Sequence, residues 1–326
     1  MQMADHCGIR MVLPGEKRMT RRILSPFVLG CLNAFGATVF WSGNFVVARG
    51  LAGQLTPVEI SFWRWGLAFL MILPFTVKSV WAHRGILRAH WPSYLCLGLF
   101  GVSLINTLNY KAGITTGATN IALIATSAPM FMALISCVFL RDRLSRQQSV
   151  GLVIALIGVV VLVTRGSLEA LLGLTFTEGD LWALLGAVAF AIYTIQLRFR
   201  PGGMPPVAFL TVIFGIGTFG LAPFLGWGIW VGEGHWPSLP QFGCLVYIAL
   251  FASVVGFLFW NKAIDLIGPV RSGVIYYSIP LFSSIEAALL LGEGISLSQM
   301  LGGVLIIGGI LFSTLDTLRR ADRTSA

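Results

Sequence analysis

Arg64 and Glu286 are charges set inside apolar sequence. Arg64 lies about six residues within the stretch 58–77, and Glu286 about five residues within 270–291. Charged side chains in such places are costly, and they usually face a cavity or pair with each other. A guanidinium there can attract a carboxylate. A carboxyl group there can attract an ammonium or carry a coupling proton. An amino-acid zwitterion presents both signs. Two structural readings stay open: an Arg64–Glu286 ion pair, and an Arg64 that snorkels to the membrane surface.

Polar and aromatic residues add to the candidate site. Asn44 follows Gly43 and is flanked by Trp41 and Phe45. Its carboxamide offers two donors and an acceptor oxygen, so it could hold a carboxylate or amide, or join two helices. Tyr193, Gln196, Tyr276 and Tyr277 could form, with Trp41, a pocket for an aromatic or large neutral substrate; ordinary packing is the alternative. Asn106, Asn109 and Tyr110, and Trp260 with Asn261, stand near span ends, where gating and interface anchoring are both open. Pro129 and Pro280 stand mid-span. Each frees the carbonyl four residues back, that of Ala125 or Tyr276. In hydrocarbon those carbonyls need a cavity, a water or a donor such as Ser127 or Ser278. A paired hinge or site lining follows, with a static kink as the alternative.

The elements that must position these residues are membrane helices. The 326 residues are 56% hydrophobic and 11% charged, with a mean hydropathy of +0.84. A soluble domain carries about 25% charged residues. Ten stretches are long enough to cross a bilayer: 27–48, 58–77, 92–112, 118–140, 147–164, 179–199, 205–230, 241–263, 270–291 and 296–315. Residues 99–158 align without a gap on 250–309, and 15 of the 60 pairs are identical, Pro129 with Pro280 and Ser127 with Ser278 among them. Each half holds five spans, so the second half enters the bilayer from the opposite side. Inverted repeats of this kind build secondary transporters. The predicted fold is therefore an all-α membrane protein of ten transmembrane helices in two inverted five-helix repeats, 27–165 and 178–316. Tails at 1–26 and 317–326 flank them.

Of the 22 Lys and Arg residues, 18 fall on one side and three (Arg49, Lys111 and Arg165) on the other, with Arg64 inside a span. That asymmetry predicts both termini in the cytoplasm and places Arg64 and Glu286 at similar depth in the outer half. The net charge of +9 is dispersed over short loops, which argues for membrane orientation and against nucleic acid. The first span is too long for a signal peptide, so it reads as an uncleaved helix behind a disordered 1–18. The cysteines show no metal or CxxC spacing and read as packing residues. All four histidines lie in tails or loops, and no GxxxxGK[ST] loop occurs. A membrane enzyme and an ATP-driven pump are thereby disfavoured, and neither metal, cofactor nor ATPase subunit is expected.

The first span reads Phe40-Trp41-Ser42-Gly43-Asn44-Phe45. Each half then carries a proline-broken helix and a short acidic turn, Arg141-Asp142-Arg143-Leu144-Ser145 and Gly292-Glu293-Gly294-Ile295-Ser296. In order and in duplicate, these motifs resemble the EamA-type branch of the drug/metabolite transporter superfamily, over residues 27–315. Ser42 stands where that pattern often has Gly, and Asp142 where it usually has Glu. The resemblance implies a carrier of small organic metabolites, with export as the direction and a similarity to the aromatic amino acid exporters of the branch. The expected function is alternating-access export of amino acids, aromatic or large neutral ones favoured, by an integral inner-membrane protein. A nucleotide sugar, a phosphate or a toxic compound is the competing cargo.

Overall fold

The protein is described by a computed structural model that covers residues 25–51, 53–116, 118–141, 144–173, 177–291 and 296–325. The basic residues 1–24 and the acidic positions Asp142 and Glu293 lie outside the described residues.

Apolar length makes these segments helices, and local chemistry sets their ends. The first five crossings are α1 (Pro26–Leu51), α2 (Pro57–Ala82), α3 (Trp91–Thr115), α4 (Ala118–Ala125 with Ala128–Phe139) and α5 (Arg146–Val163). The second set is α6 (Glu178–Leu197), α7 (Pro206–Trp230), α8 (239–267), α9 (269–276 with Ile279–Leu291) and α10 (Leu297–Ser325). Among the described residues nine helical stretches are long and apolar enough to cross, and one of them, Leu239–Tyr276, has 38 residues. At about 1.5 Å per residue it is nearly twice a bilayer core. Gly268 breaks it at φ 79° and ψ 169°, a backbone that glycine tolerates, and Pro269 follows. The stretch thus holds one crossing, 239–267, and the start of another that Ile279–Leu291 completes, which makes ten among the described residues.

Helix starts recur at the repeat offset. Ser145 accepts from the Gln148 N–H (3.1 Å) and Ser296 from the Gln299 N–H (3.3 Å), while each glutamine side chain accepts from the serine N–H. These are capping boxes. Thr56 and Glu59 form another before α2, with Pro57 in the first turn. Glu59 is 1% exposed, and its second oxygen accepts from the His235 N–H in the α7–α8 connection. One carboxylate thereby starts a helix and ties down a distant loop. Glu59→Ala is expected to cost about 1–3 kcal/mol through the lost cap and the orphaned N–H groups. Thermal unfolding in detergent would show it; an unshifted midpoint would sink the double role.

Helix irregularities repeat as well. The π-helical turns Leu99–Leu104 in α3 and Ile248–Val255 in α8 overlap at an offset of 151. The breaks in α4 and α9 fall at Thr126-Ser127 and Tyr277-Ser278, the same offset. Neither proline kinks a continuous helix. Each opens the second piece of a broken one, where its missing N–H is not needed. Phe131 and Phe282 donate to the carbonyls of Ser127 and Ser278, both at 3.0 Å. The two halves interlock: α1 packs on α8 and α9, α6 on α3 and α4, α2 on α7, and α5 on α10.

Candidate functional site

Arg64 projects from α2 into the junction of α1, α3 and α8. It is 1% exposed. Its Nε donates to Ser253 Oγ at 2.7 Å. Its Nη1 is 2.9 Å from Asn44 Oδ1, 3.2 Å from Asn106 Oδ1 and 3.1 Å from the Tyr110 hydroxyl. Tyr110 in turn donates to Asn44 Oδ1 at 3.3 Å. The guanidinium also lies 4.8 Å from the Trp65 ring centroid. These partners are all neutral, and among the described residues no carboxylate forms an ion pair with Arg64. Asn44, Asn106 and Tyr110 are only half-buried, so the cluster has an accessible side.

Beneath this cluster lies a floor of rings. Trp41 stands one turn before Asn44 and packs against Phe190 (5.5 Å between centroids), Phe257 (5.7 Å), Trp260 (5.1 Å) and Tyr276 (6.2 Å). Phe190 also meets Tyr276 at 5.0 Å. The Trp41 indole N–H donates to Ala252 O in the α8 π-turn, at 2.8 Å, next to the Ser253 that binds Arg64. Trp65 joins the two layers by packing on Phe257 at 5.2 Å. The rings fill one another's space, so they form a plug and not an open pocket.

The structure brings together some of the predicted residues and separates others. Asn44 and Arg64 meet. Trp41 and Tyr276 meet in the floor. Tyr193, fully buried, lies further in and donates to Asn261 Oδ1 at 2.9 Å. Tyr277 is not part of the aromatic group: it is buried with Ala34, Val159 and Ile306 between α1, α5 and α10. Glu286 does not meet Arg64. Its Oε1 lies 2.6 Å from Ser42 Oγ, on another flank of α1. The ion pair is therefore absent. The snorkelling alternative also fails, because Arg64 is buried. Ser127 donates to Ile124 O (2.6 Å), and Ser278 shares a hydrogen bond with Thr38 (2.9 Å), so neither serine serves the carbonyl expected of it. Near the breaks α4 and α9 touch: a Cβ on Gly273 would stand 3.0 Å from Met132 Sδ and 3.4 Å from Pro129 Cβ.

Sequence reasoning missed Ser253 and Ser42, and it put Asn106 and Tyr110 at a gate or anchor. A one-turn spacing from Asn106 to Tyr110 was the available signal that both face one way. A separate cavity of about 320 Å³ lies between α2 and α7, lined by Phe62, Trp63, Leu225, Ile229, His235 and Trp236. Neither Arg64 nor any of its partners lines it. Among the described residues no group of three metal-ligating side chains occurs.

Comparison with known proteins adds to this geometry. The model of the EamA-like transporter family matches residues 28–164 and again 177–315. An uncharacterized transporter of Bacillus subtilis, YyaM, is 28% identical over 282 residues, 85% of this chain and 90% of its own length. A probable amino-acid metabolite efflux pump of Salmonella typhimurium is 27% identical over 303 residues, 88% of this chain and 95% of its own. A crystal structure at 21% identity superposes with a TM-score of 0.71 over 89% of this chain and 98% of its own, which shows the fold alone.

Proposed function

The chain belongs to the EamA-like transporter family, and from that premise we propose that it exports amino acids, aromatic or large neutral ones, across the inner membrane. The family moves small metabolites through the bilayer; the cargo, the direction and the sidedness are our reading. The observation that carries it is Arg64, a buried cation held by neutral oxygens, with the half-buried Asn44, Asn106 and Tyr110 on its accessible flank.

In this reading the guanidinium takes the substrate carboxylate. A charge-assisted hydrogen bond of this kind is roughly twice as strong as a neutral one. Asn44, Asn106 and Tyr110 orient the rest. The ring of the substrate rests on the floor formed by Trp41, Phe190, Trp260 and Tyr276. Stacking there contributes about 0.5–1.5 kcal/mol beyond the area buried. The floor separates the site from the other face, so alternating access has to part α1 and α6 from α8 and α9. The broken helices α4 and α9 are placed to bend, with Pro129, Pro280, Ser127 and Ser278 at the two breaks. The repeats are 27–165 and 178–316, both termini are cytoplasmic, and no covalent chemistry or ATPase subunit takes part. The relative named as an amino-acid metabolite efflux pump supports this choice of cargo.

The test is uptake into proteoliposomes holding the purified full chain, with labelled phenylalanine, threonine and a sugar phosphate side by side. Phenylalanine is expected to enter faster than threonine and to be competed by other neutral amino acids. Sugar phosphate is expected at background, since one buried cation is too few for a dianion. Sugar-phosphate flux without amino-acid flux would reverse the assignment.

A further inference from the structure

Glu286 stands apart from the Arg64 site and is not used by it. Its carboxyl faces α1 at Ser42 and Gly43. Ser42 Oγ is 2.6 Å from Glu286 Oε1 and also 2.6 Å from the carbonyl oxygen of Val39. A serine hydroxyl has one hydrogen. It cannot donate to both oxygens at once. If Glu286 is ionised, one of these short contacts has no hydrogen in it. If Glu286 carries a proton, the pattern closes: Glu286 O–H donates to Ser42 Oγ, and Ser42 O–H donates to Val39 O.

The rest of the surroundings agree. Oε2 is inaccessible and has no hydrogen-bond partner among the described residues. A Cβ on Gly43 would stand 3.6 Å from that oxygen and 2.9 Å from the Tyr247 hydroxyl of α8. An object as large as water or an ammonium cannot touch an atom so enclosed. Tyr247 is the titratable side chain beside it. Arg146 and Arg165 bound α5 without an ion pair to Glu286, and α10 has no charged residue between Leu297 and Thr314. Arg49, two turns beyond Ser42 on α1, lies outside the residues whose side chains are described.

We propose that Glu286 is a proton-binding site coupled to transport, separate from the substrate site and linked to it through α1. Ser42 and Asn44 are two residues apart on that helix and address Glu286 and Arg64 respectively. Proton binding forms one O–H bond on the Glu286 carboxyl and reverses the direction of its hydrogen bond with Ser42. Proton release restores it, so Ser42 reports the occupancy of Glu286 to the helix that carries Asn44. Coupling rests on the transport reading above; the proton site does not.

The full chain is reconstituted with a pH-sensitive dye inside the vesicles. In wild type, a gradient of one pH unit is expected to drive up to about tenfold phenylalanine accumulation for one proton per substrate. In Glu286→Gln, whose amide can donate to Ser42 as the protonated acid does, accumulation falls to about onefold while counterflow persists. Substrate-linked proton movement surviving in Glu286→Gln overturns the proposal, as does wild-type flux indifferent to the gradient. Infrared absorption of the substrate-free protein tests the proton without transport. A protonated-carboxyl band at neutral pH, lost in Glu286→Gln and shifted in Ser42→Ala, supports the site. A wild type without that band, or a band unchanged in Glu286→Gln, overturns it. Absent phenylalanine flux with the band present would instead count against the amino-acid reading.

Discussion

Arg64→Ala is expected to abolish amino-acid flux while the protein still folds. A cation paired to a buried carboxylate contributes about 2–5 kcal/mol when one partner is removed, and each 1.4 kcal/mol is tenfold. Transport through the variant should therefore fall by roughly 30-fold or more. Arg64→Lys keeps the charge but not the fork, so it cannot serve Ser253, Asn44, Asn106 and Tyr110 together. It should retain a small part of the flux. Asn44→Asp separates a substrate role from a structural one. It places a carboxylate where an acceptor already stands 2.9 Å from the guanidinium. A structural arginine gains a counter-ion, and both stability and transport survive. A substrate-binding arginine is neutralised from within, so thermal stability holds while flux is lost. Flux at the wild-type rate in Asn44→Asp would end the case for Arg64 as the carboxylate ligand. Measuring the unfolding midpoint on the same preparations keeps a folding defect from passing as a transport defect.

The sequence shows why Arg64 could be found and its neighbours could not. Hydropathy gives depth in the bilayer, and depth exposes a charge at once. It does not give azimuth. Tyr276 and Tyr277 are adjacent, which turns them about 100° apart on a helix. One joins the ring floor and the other the α5–α10 core, so both could not line one pocket. Ser42 and Asn44 are about 200° apart by the same geometry, and they send Glu286 and Arg64 to different flanks of α1. Equal expected depth therefore did not mean contact. Ser253 had no mark in the sequence: a serine in an apolar run becomes an arginine ligand only when α8 is laid beside α2. The repeat, by contrast, was legible in detail. Caps, π-turns and breaks all recur at the offset of 151, because each is a local consequence of residues that the duplication kept in register.

The largest expected loss of stability lies where α5 crosses α10. Gly151 and Gly158 face Gly309 and Gly302, and these two contacts are one contact seen twice through the repeat. A Cβ on Gly151 would stand 2.6 Å from the Gly309 oxygen, and one on Gly309 would stand 2.6 Å from the Gly151 oxygen. The other pair is as close: 2.8 Å from Gly158 to the Gly302 oxygen, and 2.7 Å in return. The obstacle is backbone, which cannot rotate away as a side chain can. Any larger residue must push the helices apart. Overpacking of a core costs typically about 1–3 kcal/mol and at times more. Here the displacement also strips contacts along the whole crossing, since small residues are what allow close approach. Gly158→Val is expected to lose about 3 kcal/mol or more, seen as a large drop in unfolding midpoint in detergent. The coupling is the sharper test. Gly151→Ala and Gly309→Ala enlarge the same contact, so the helices need separate only once. Their double variant should cost less than the sum of the singles, by about 0.5–3 kcal/mol in a double-mutant cycle. Strict additivity would mean that the two helices yield independently, and that the crossing is looser than its backbone distances imply.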